Sequence, residues 1–208
     1  MRVSCLSDRG RPIASSFGLL VSLSLLSLLS LACLFSAAAE ERLTGPGQNG
    51  IALFEQEQWA EARTVFLAVV KTHPESALAN FYLGRIAFRE EDYAAAVEWF
   101  EKAAELEKRN SNFHLWLGRA YGYQAQQAFV WQQLFLAQKV RKQFEKAVAL
   151  DADNVLARWD LMEYYLKAPR FLGGSWEKAK AEAHEIEQRD AAEGKEAWRL
   201  IAELERKS

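Results

Sequence analysis

Three histidines and two cysteines are the strongest metal ligands and nucleophiles in this chain, and their spacing keeps them apart. His73, His114 and His184 each lack a second His or Cys at ligand spacing, so no metal site is expected. Cys5 and Cys33 both precede Ala39, where the chain is expected to be cut. After that cut no thiol remains for a disulfide, a Cys-based metal site or thiol catalysis. No Gly-x-Ser-x-Gly elbow occurs. The adjacent acids Glu40-Glu41 and Glu90-Glu91 fall near the mature start or at a helix end, where solvated charge is their ordinary role. Gly173-Gly174-Ser175 ahead of Trp176 could offer free amides to an anion. With no strand before it and no Lys after it, the stretch reads instead as a loop that Ser175 closes as an N-cap. No catalytic residue, metal or cofactor is expected, which leaves recognition.

The first 39 residues set the compartment. Arg2, Arg9 and Arg11 stand against one acid, Asp8, and an uncharged Leu/Ser run follows from Phe17 to Phe35, ending in Ala37-Ala38-Ala39. A basic start, an apolar middle and a small-residue exit predict a secretory signal over 1–39 cleaved after Ala39, so the mature protein is exported, into the periplasm of a bacterium. The competing reading is a retained membrane anchor, because the run approaches the ~20 residues that cross a bilayer. Its four serines and the Ala-x-Ala exit favour cleavage. A lipid anchor on Cys33 fits less well, since Ser30 stands where such signals usually have Leu. Removing three bases and one acid from the 26 Lys+Arg and 28 Asp+Glu of the chain leaves 23 against 27, a formal charge of −4. That balance points away from nucleic acid.

Residues 40–208 repeat. Gly50, Gly84 and Gly118 are separated by 34 residues, as are Trp59 and Tyr93, Ala62 and Ala96, Phe66 and Phe100, and Leu83 and Leu117. Beyond Tyr121 the step becomes 44: Phe100 to Phe144, Ala103 to Ala147, Leu106 to Leu150, Leu117 to Leu161 and Tyr121 to Tyr165. One insertion of ten residues between Tyr121 and Phe144 explains the whole second set. A 34-residue period with large and small residues at these offsets resembles the tetratricopeptide repeat (TPR), a helix–turn–helix unit. Phe81-Tyr82-Leu83-Gly84, Asp92-Tyr93, Ala96, Phe100, Ala103 and Leu106 carry the resemblance most fully. The expected fold is an all-α helical-hairpin solenoid with repeats at about 43–76, 77–110, 111–154 and 155–191, closed by a capping helix over 194–206. Gly84 and Ala96 let the helices of a hairpin approach, and Leu83, Phe100 and Leu106 fill the space between hairpins. Pro74 ends the first repeat; Lys108 and Ala152 at the later junctions predict softer breaks.

Two stretches depart from the regular array. Sharing ten extra residues between two antiparallel helices lengthens each by about five, or ~7 Å, so the third hairpin protrudes. Its tip is expected at 129–135, Phe-Val-Trp-Gln-Gln-Leu-Phe, with Phe129, Trp131, Leu134 and Phe135 as a possible contact surface. The other reading folds these aromatics back over the fourth repeat as core. The second departure is the long loop 168–175. The loop and the expanded hairpin together resemble a group of bacterial exported TPR proteins.

The TPR resemblance implies a groove lined by the first helix of each repeat, in which a partner peptide lies. Carried onto this chain, the groove positions are Phe54, Glu55, Phe81, Arg85, Phe88, Arg89, Leu115, Arg119, Tyr123, Trp159, Glu163 and Lys167. Arg85 and Arg119 are 34 residues apart and should share one wall. Guanidinium groups beside aromatics suit a peptide with an acidic and an apolar side chain. The Lys/Asn set by which some TPR domains clamp a chaperone's C-terminal carboxylate is absent at the corresponding positions. The expected function is a non-catalytic protein-interaction scaffold in the bacterial cell envelope. The alternatives are a membrane-associated assembly factor using the tip 129–135, and an enzyme without a recognisable motif.

Overall fold

The computed structural model describes residues 46–207, and every regular element among them is helical. The expected leader and its cleavage site lie outside the described residues. The helices are α1 (Pro46–Glu55), α2 (Trp59–Thr72), α3 (Ala77–Arg89), α4 (Tyr93–Leu106), α5 (Ser111–Gln127), α6 (Val130–Leu150), α7 (Val155–Lys167), α8 (Trp176–Arg189) and α9 (Ala191–Glu205). Each packs on its successor, and α1, α3, α5 and α7 also touch in sequence, which is the stacking of helical hairpins in a solenoid.

Caps and glycines explain why the hairpins form where they do. The side chains of Ser76, Asp92 and Asn154 accept from the N–H groups of Ala79, Ala95 and Ala157 at 3.3, 3.0 and 3.0 Å, holding the first turns of α3, α4 and α7. The junctions at Lys108 and Ala152 break as fully as the one at Pro74, contrary to expectation. At Ala152 the reason is local, because Asn154 starts α7 on its own cap. Within the first three hairpins a glycine faces a phenylalanine ring of the second helix. A β-carbon at Gly50, Gly84 or Gly118 would lie 2.9, 2.6 or 2.5 Å from Phe66, Phe100 or Phe144 respectively. Phe66 and Phe100 are buried as a result, and so is Leu83. Leu106 is a correction: at the end of α4 it is 43% exposed and does not fill the space between hairpins.

The insertion is shared unequally. Because α3 and α5 start 34 residues apart, the four extra residues of α5 are added at its C-terminal end. Because α4 and α6 end 44 residues apart, the seven extra residues of α6 are added at its start. The connecting turn shrinks from three residues, 90–92, to two, 128–129, which completes the shift of ten. The tip is therefore a correction in detail: residues 130–135 are the first turns of α6, not a loop. Gln132 seeds that helix, its Oε1 accepting from the Phe129 N–H at 3.3 Å, while Gln133 Nε2 donates to the Ala128 carbonyl at 3.0 Å.

The loop after α7 is ordered by its own backbone. Pro169 leads into a short 3-10 turn, Arg170–Leu172, and Gly173 then takes φ 95°, a conformation that glycine reaches without strain. Tyr164 Oη donates to the Leu172 carbonyl at 2.9 Å, and the Ser175 N–H donates to the Tyr165 carbonyl at 2.9 Å. Ser175 Oγ accepts from the Lys178 N–H at 3.3 Å, the N-cap expected from the sequence. The closing helix starts at Ala191 rather than 194, because Asp190 Oδ1 accepts from the N–H groups of Ala192 and Glu193.

Candidate functional site

A groove of about 710 Å³ runs between the first helices of the second, third and fourth hairpins. Phe88 of α3, Trp116, Arg119 and Tyr123 of α5, and Asp160, Glu163 and Lys167 of α7 line it. Val140 and Phe144 of α6 form part of its apolar wall, and Ala168, Pro169 and Leu172 of the loop after α7 also line it. The loop thus belongs to the groove, a role its sequence did not suggest.

Trp116 organises the cationic side. The Arg85 guanidinium lies 3.8 Å from the centre of its ring and that of Arg119 lies 5.0 Å away. The two arginines expected on one wall share this ring, both guanidinium groups lying over the indole. Their electrostatic states differ. Arg119 Nε and Nη2 donate to Asp160 Oδ2 and Oδ1 at 2.5 and 3.1 Å, a bidentate pair that is only 25% and 16% exposed. Burial nevertheless holds the Asp160 carboxyl above the usual carboxylate range, against the opposing pull of Arg119. Arg85 has no ion pair with a carboxylate of the described residues; it rests on aromatic faces, with Phe54 also within 5.2 Å. Burial lowers its pKa from the usual arginine value; Tyr82 opposes that shift, and the like charges of Arg89 and Arg119 add to it.

Phe88 and Tyr123 make the second feature. Phe88 meets Tyr93, Trp116 and Tyr123 edge-on with ring centres 5.1–5.5 Å apart, and Tyr123 stacks on Tyr93 at 5.0 Å. Edge-on aromatic contacts are favourable beyond burial alone, so this rim is preformed. Tyr123 keeps 43% of its surface exposed.

The positions carried over from the repeat family divide in three. Phe88, Arg119, Tyr123, Glu163 and Lys167 line the groove, with Glu163 and Lys167 paired to each other across one helical turn. Arg85 adjoins it through Trp116, Glu55 is exposed at the end of α1, and Arg89 lies over Trp59, 5.1 Å from its ring centre. Phe54, Phe81 and Leu115 are corrections: all three are buried in the core, Phe81 stacking on Phe113 at 4.8 Å. Trp159 packs against the core and is not part of the lining. Trp116 and Asp160 were missed. Their signal was the repeat itself, since Tyr82, Trp116 and Asp160 occupy one repeat position, separated by 34 and 44 residues. The tip residues are exposed, Phe129 at 76%, Trp131 at 71%, Phe135 at 63% and Leu134 at 42%, which overturns the reading that folds them over the fourth hairpin.

Elsewhere the polar groups serve the fold. His114 is buried, its Nδ1 2.8 Å from Gln143 Oε1 and its Nε2 3.1 Å from the Lys108 carbonyl. Among the described residues no group of three or more His, Cys, Asp or Glu could hold a metal ion. None of the described helices is long and apolar enough to cross a membrane.

Comparison with known proteins agrees with this geometry. Residues 48–112 match the tetratricopeptide repeat family. The mouse Superkiller complex protein 3 is 28% identical over 167 residues, covering 76% of this chain, which in turn spans about a tenth of that relative's length. Among solved structures, a thermophilic TPR protein of Thermus thermophilus superposes with a TM-score of 0.60 at 19% identity, over 76% of this chain and 79% of that one. MamA from Desulfovibrio magneticus RS-1 gives 0.52 at 23% identity over 89% and 96% of the two chains. YrrB, described as a TPR protein with an unusual peptide-binding site, gives 0.56 at 18% identity over 76% and 75%. The period, the stacked hairpins and the match over residues 48–112 agree: the chain carries tetratricopeptide repeats, and its helical solenoid resembles those of solved TPR proteins.

Proposed function

We propose that this chain is a non-catalytic protein-interaction scaffold of the bacterial cell envelope, whose groove takes an extended peptide or protein segment bearing an acidic and an apolar side chain. The observation that carries this reading is the contrast between the two arginines on Trp116. Arg119 already has a carboxylate in Asp160, whereas Arg85 lies over the indole with none among the described residues. A half-buried guanidinium without a counter-ion is a place where a ligand carboxylate forms a charge-assisted, bidentate contact. The apolar partner surface is supplied by Phe88, Tyr123 and the wall beyond them. YrrB, a structural neighbour, is described as having a peptide-binding site, and peptide recognition here would use the same fold.

Selection of random peptides displayed on phage against the isolated protein tests the reading. Peptides enriched in Asp or Glu next to aromatic or aliphatic residues are expected, and Arg85→Glu should weaken a selected peptide at least ~10-fold, the loss of one charge-assisted contact. Enrichment without acids, or a variant that binds as well as wild type, would sink it. The envelope location rests on the leader. It is checked by the mass of protein from fractionated cells, with a mature N-terminus at Glu40 expected. An intact Met1 in a membrane-embedded product would replace export with anchoring.

A further inference from the structure

The groove leaves the tip of the third hairpin unexplained. Phe129, Val130 and Trp131 are more than 70% exposed, and Phe135 is 63% exposed one turn further along α6. Soluble surfaces scatter such residues singly, whereas here they are contiguous. The surrounding charge is as unusual as the apolar cluster. Residues 111–144 contain no Asp or Glu, but they contain Arg119, Lys139, Arg141 and Lys142, in a chain whose overall formal charge is −2.

The helix arranges these groups by depth. Trp131, Phe135, Gln138 and Lys142 are all exposed and recur at the three- and four-residue steps of one helical face. Lys139 follows Phe135 by one turn, with its Nζ 5.3 Å from the ring centre. The order from the tip is therefore aromatic, then uncharged glutamine, then lysine. At 1.5 Å per residue, Lys139 and Lys142 stand about 12 and 17 Å behind Trp131. Apolar residues that lie in a membrane interface sit ~5–10 Å into the boundary between headgroups and acyl chains, which places the lysines at or just above the phosphates.

We propose that this hairpin is a membrane-interface anchor: its aromatic tip inserts among the headgroups of an anionic bilayer and Lys139 and Lys142 pair with the lipid phosphates. The anchor is independent of the groove. Its length is what makes it work, because the turn of the second hairpin is acidic, Glu90-Glu91-Asp92. The four added residues of α5 and seven of α6 carry the tip ~6–10 Å beyond that level, so the acids need not approach the lipid. Of the nearby acids Glu101 is 3.9 Å from Lys139, while Lys142 forms no ion pair with a described residue. Phe171, in the corresponding turn of the fourth hairpin, is also 76% exposed beside Arg170. A contact between two copies fits this surface less well, since it would bring together two stretches 111–144 that carry cations and no acid.

The test is co-sedimentation of the protein as isolated with vesicles of phosphatidylcholine alone or mixed equally with phosphatidylglycerol. Wild type, Trp131→Ser/Phe135→Ser and Lys139→Gln/Lys142→Gln are compared with identical N-termini, so a retained leader contributes equally to all. Stronger binding to the anionic vesicles, weakened by salt, is expected. The aromatic pair should lower it at least tenfold and the lysine pair by about fivefold for each lysine, with a smaller salt dependence. Tryptophan emission should shift to the blue on vesicle binding, and Trp131→Phe should remove that shift although six of the seven tryptophans remain. Equal binding to neutral and anionic vesicles, or vesicle binding unchanged by the aromatic pair, overturns the proposal. So does an aromatic pair that melts earlier than wild type, which makes those residues part of the core. Self-association lost in the aromatic pair, without vesicle binding, overturns it in favour of a contact between copies.

Discussion

Gly84 packs so closely on Phe100 that a β-carbon at Gly84 would stand 2.6 Å from the ring, well inside contact distance. The same relation joins Gly50 to Phe66 and Gly118 to Phe144, so one steric rule sets the spacing between helices in three hairpins. Gly84→Leu forces that contact open and should cost ~1–3 kcal/mol by overpacking. Urea melts followed by circular dichroism measure it. Gly84→Leu combined with Phe100→Leu should be less destabilised than the two single losses added together, because the second change makes room for the first. Strict additivity would mean the contact does not set the spacing.

The Arg119–Asp160 pair gives the groove a stability role as well as a binding one. Arg119→Ala leaves a largely buried carboxylate without its guanidinium, and a loss of about 1.5–3 kcal/mol at neutral pH is expected. Burial already raises the Asp160 pKa, and removing Arg119 raises it further. A raised carboxyl pKa favours the protonated folded state, so the deficit of the variant relative to wild type should shrink as the pH falls through the acid range. Arg85→Glu, at a half-exposed position with no ion pair among the described residues, should melt close to wild type. Equal destabilisation by both would contradict the division between a structural and a ligand-facing arginine.

How much of this was legible beforehand follows from what the repeat encodes. Period and residue type fix helix pairing, so the close approach of helices at Gly84, the Ser175 cap and the insertion in the third hairpin could be read from the sequence, whereas the phenylalanine ring that each glycine faces could not. Position within a repeat says less about exposure, because one position can hold a core ring or a groove ring depending on what the neighbouring hairpin supplies. Phe81 and Leu115 were therefore placed in the groove and are core, while Trp116 was overlooked although it stands at the position of Tyr82. Asp160 shares that repeat position, but its charge pairing could not be read from it. Its partner Arg119 lies 41 residues away, and no repeat rule pairs a cation with an acid across hairpins. The tip was located by composition, but whether its aromatics were covered depended on which way α6 began, a choice that Gln132 and Gln133 make at close range.

The loop that closes the groove should be intolerant of small changes. A β-carbon at Gly174 would fall 1.8 Å from the Ala168 carbonyl oxygen, and Gly173 has φ 95° with Arg141 packed against it. Gly174→Ala must displace backbone, and Gly173→Ala strains it; each should cost more than ~1 kcal/mol. Because Ala168, Pro169 and Leu172 line the groove, Gly174→Ala should also weaken any peptide that binds there while Arg85 stays unchanged. Calorimetric melting with parallel peptide titration checks both. A variant as stable as wild type with unaltered affinity would remove the loop from the site.

The last prediction concerns alkaline pH. Tyr121 Oη donates to Glu101 and Tyr165 Oη donates to Glu145 at 3.0 Å, the same contact repeated 44 residues apart. Burial pushes both phenols far above the ordinary tyrosine value, and the neighbouring carboxylates add to it through charge and hydrogen bond. The unfolded chain begins to lose these protons near pH ~10, whereas the folded chain keeps them. Folding then holds more protons than unfolding, so stability must fall as the pH rises above that point. Chemical denaturation at a series of alkaline pH values should show the decline. Tyr121→Phe with Tyr165→Phe should flatten it, since neither phenylalanine has a proton to lose, even though the double variant is less stable at neutral pH for want of two hydrogen bonds. An absorbance titration gives the independent reading: the phase that in wild type appears only with unfolding should be smaller in the double variant, where Tyr82 and Tyr164, also raised by burial, still contribute to it. An alkaline slope as steep as that of wild type would show that these two buried phenols do not govern it.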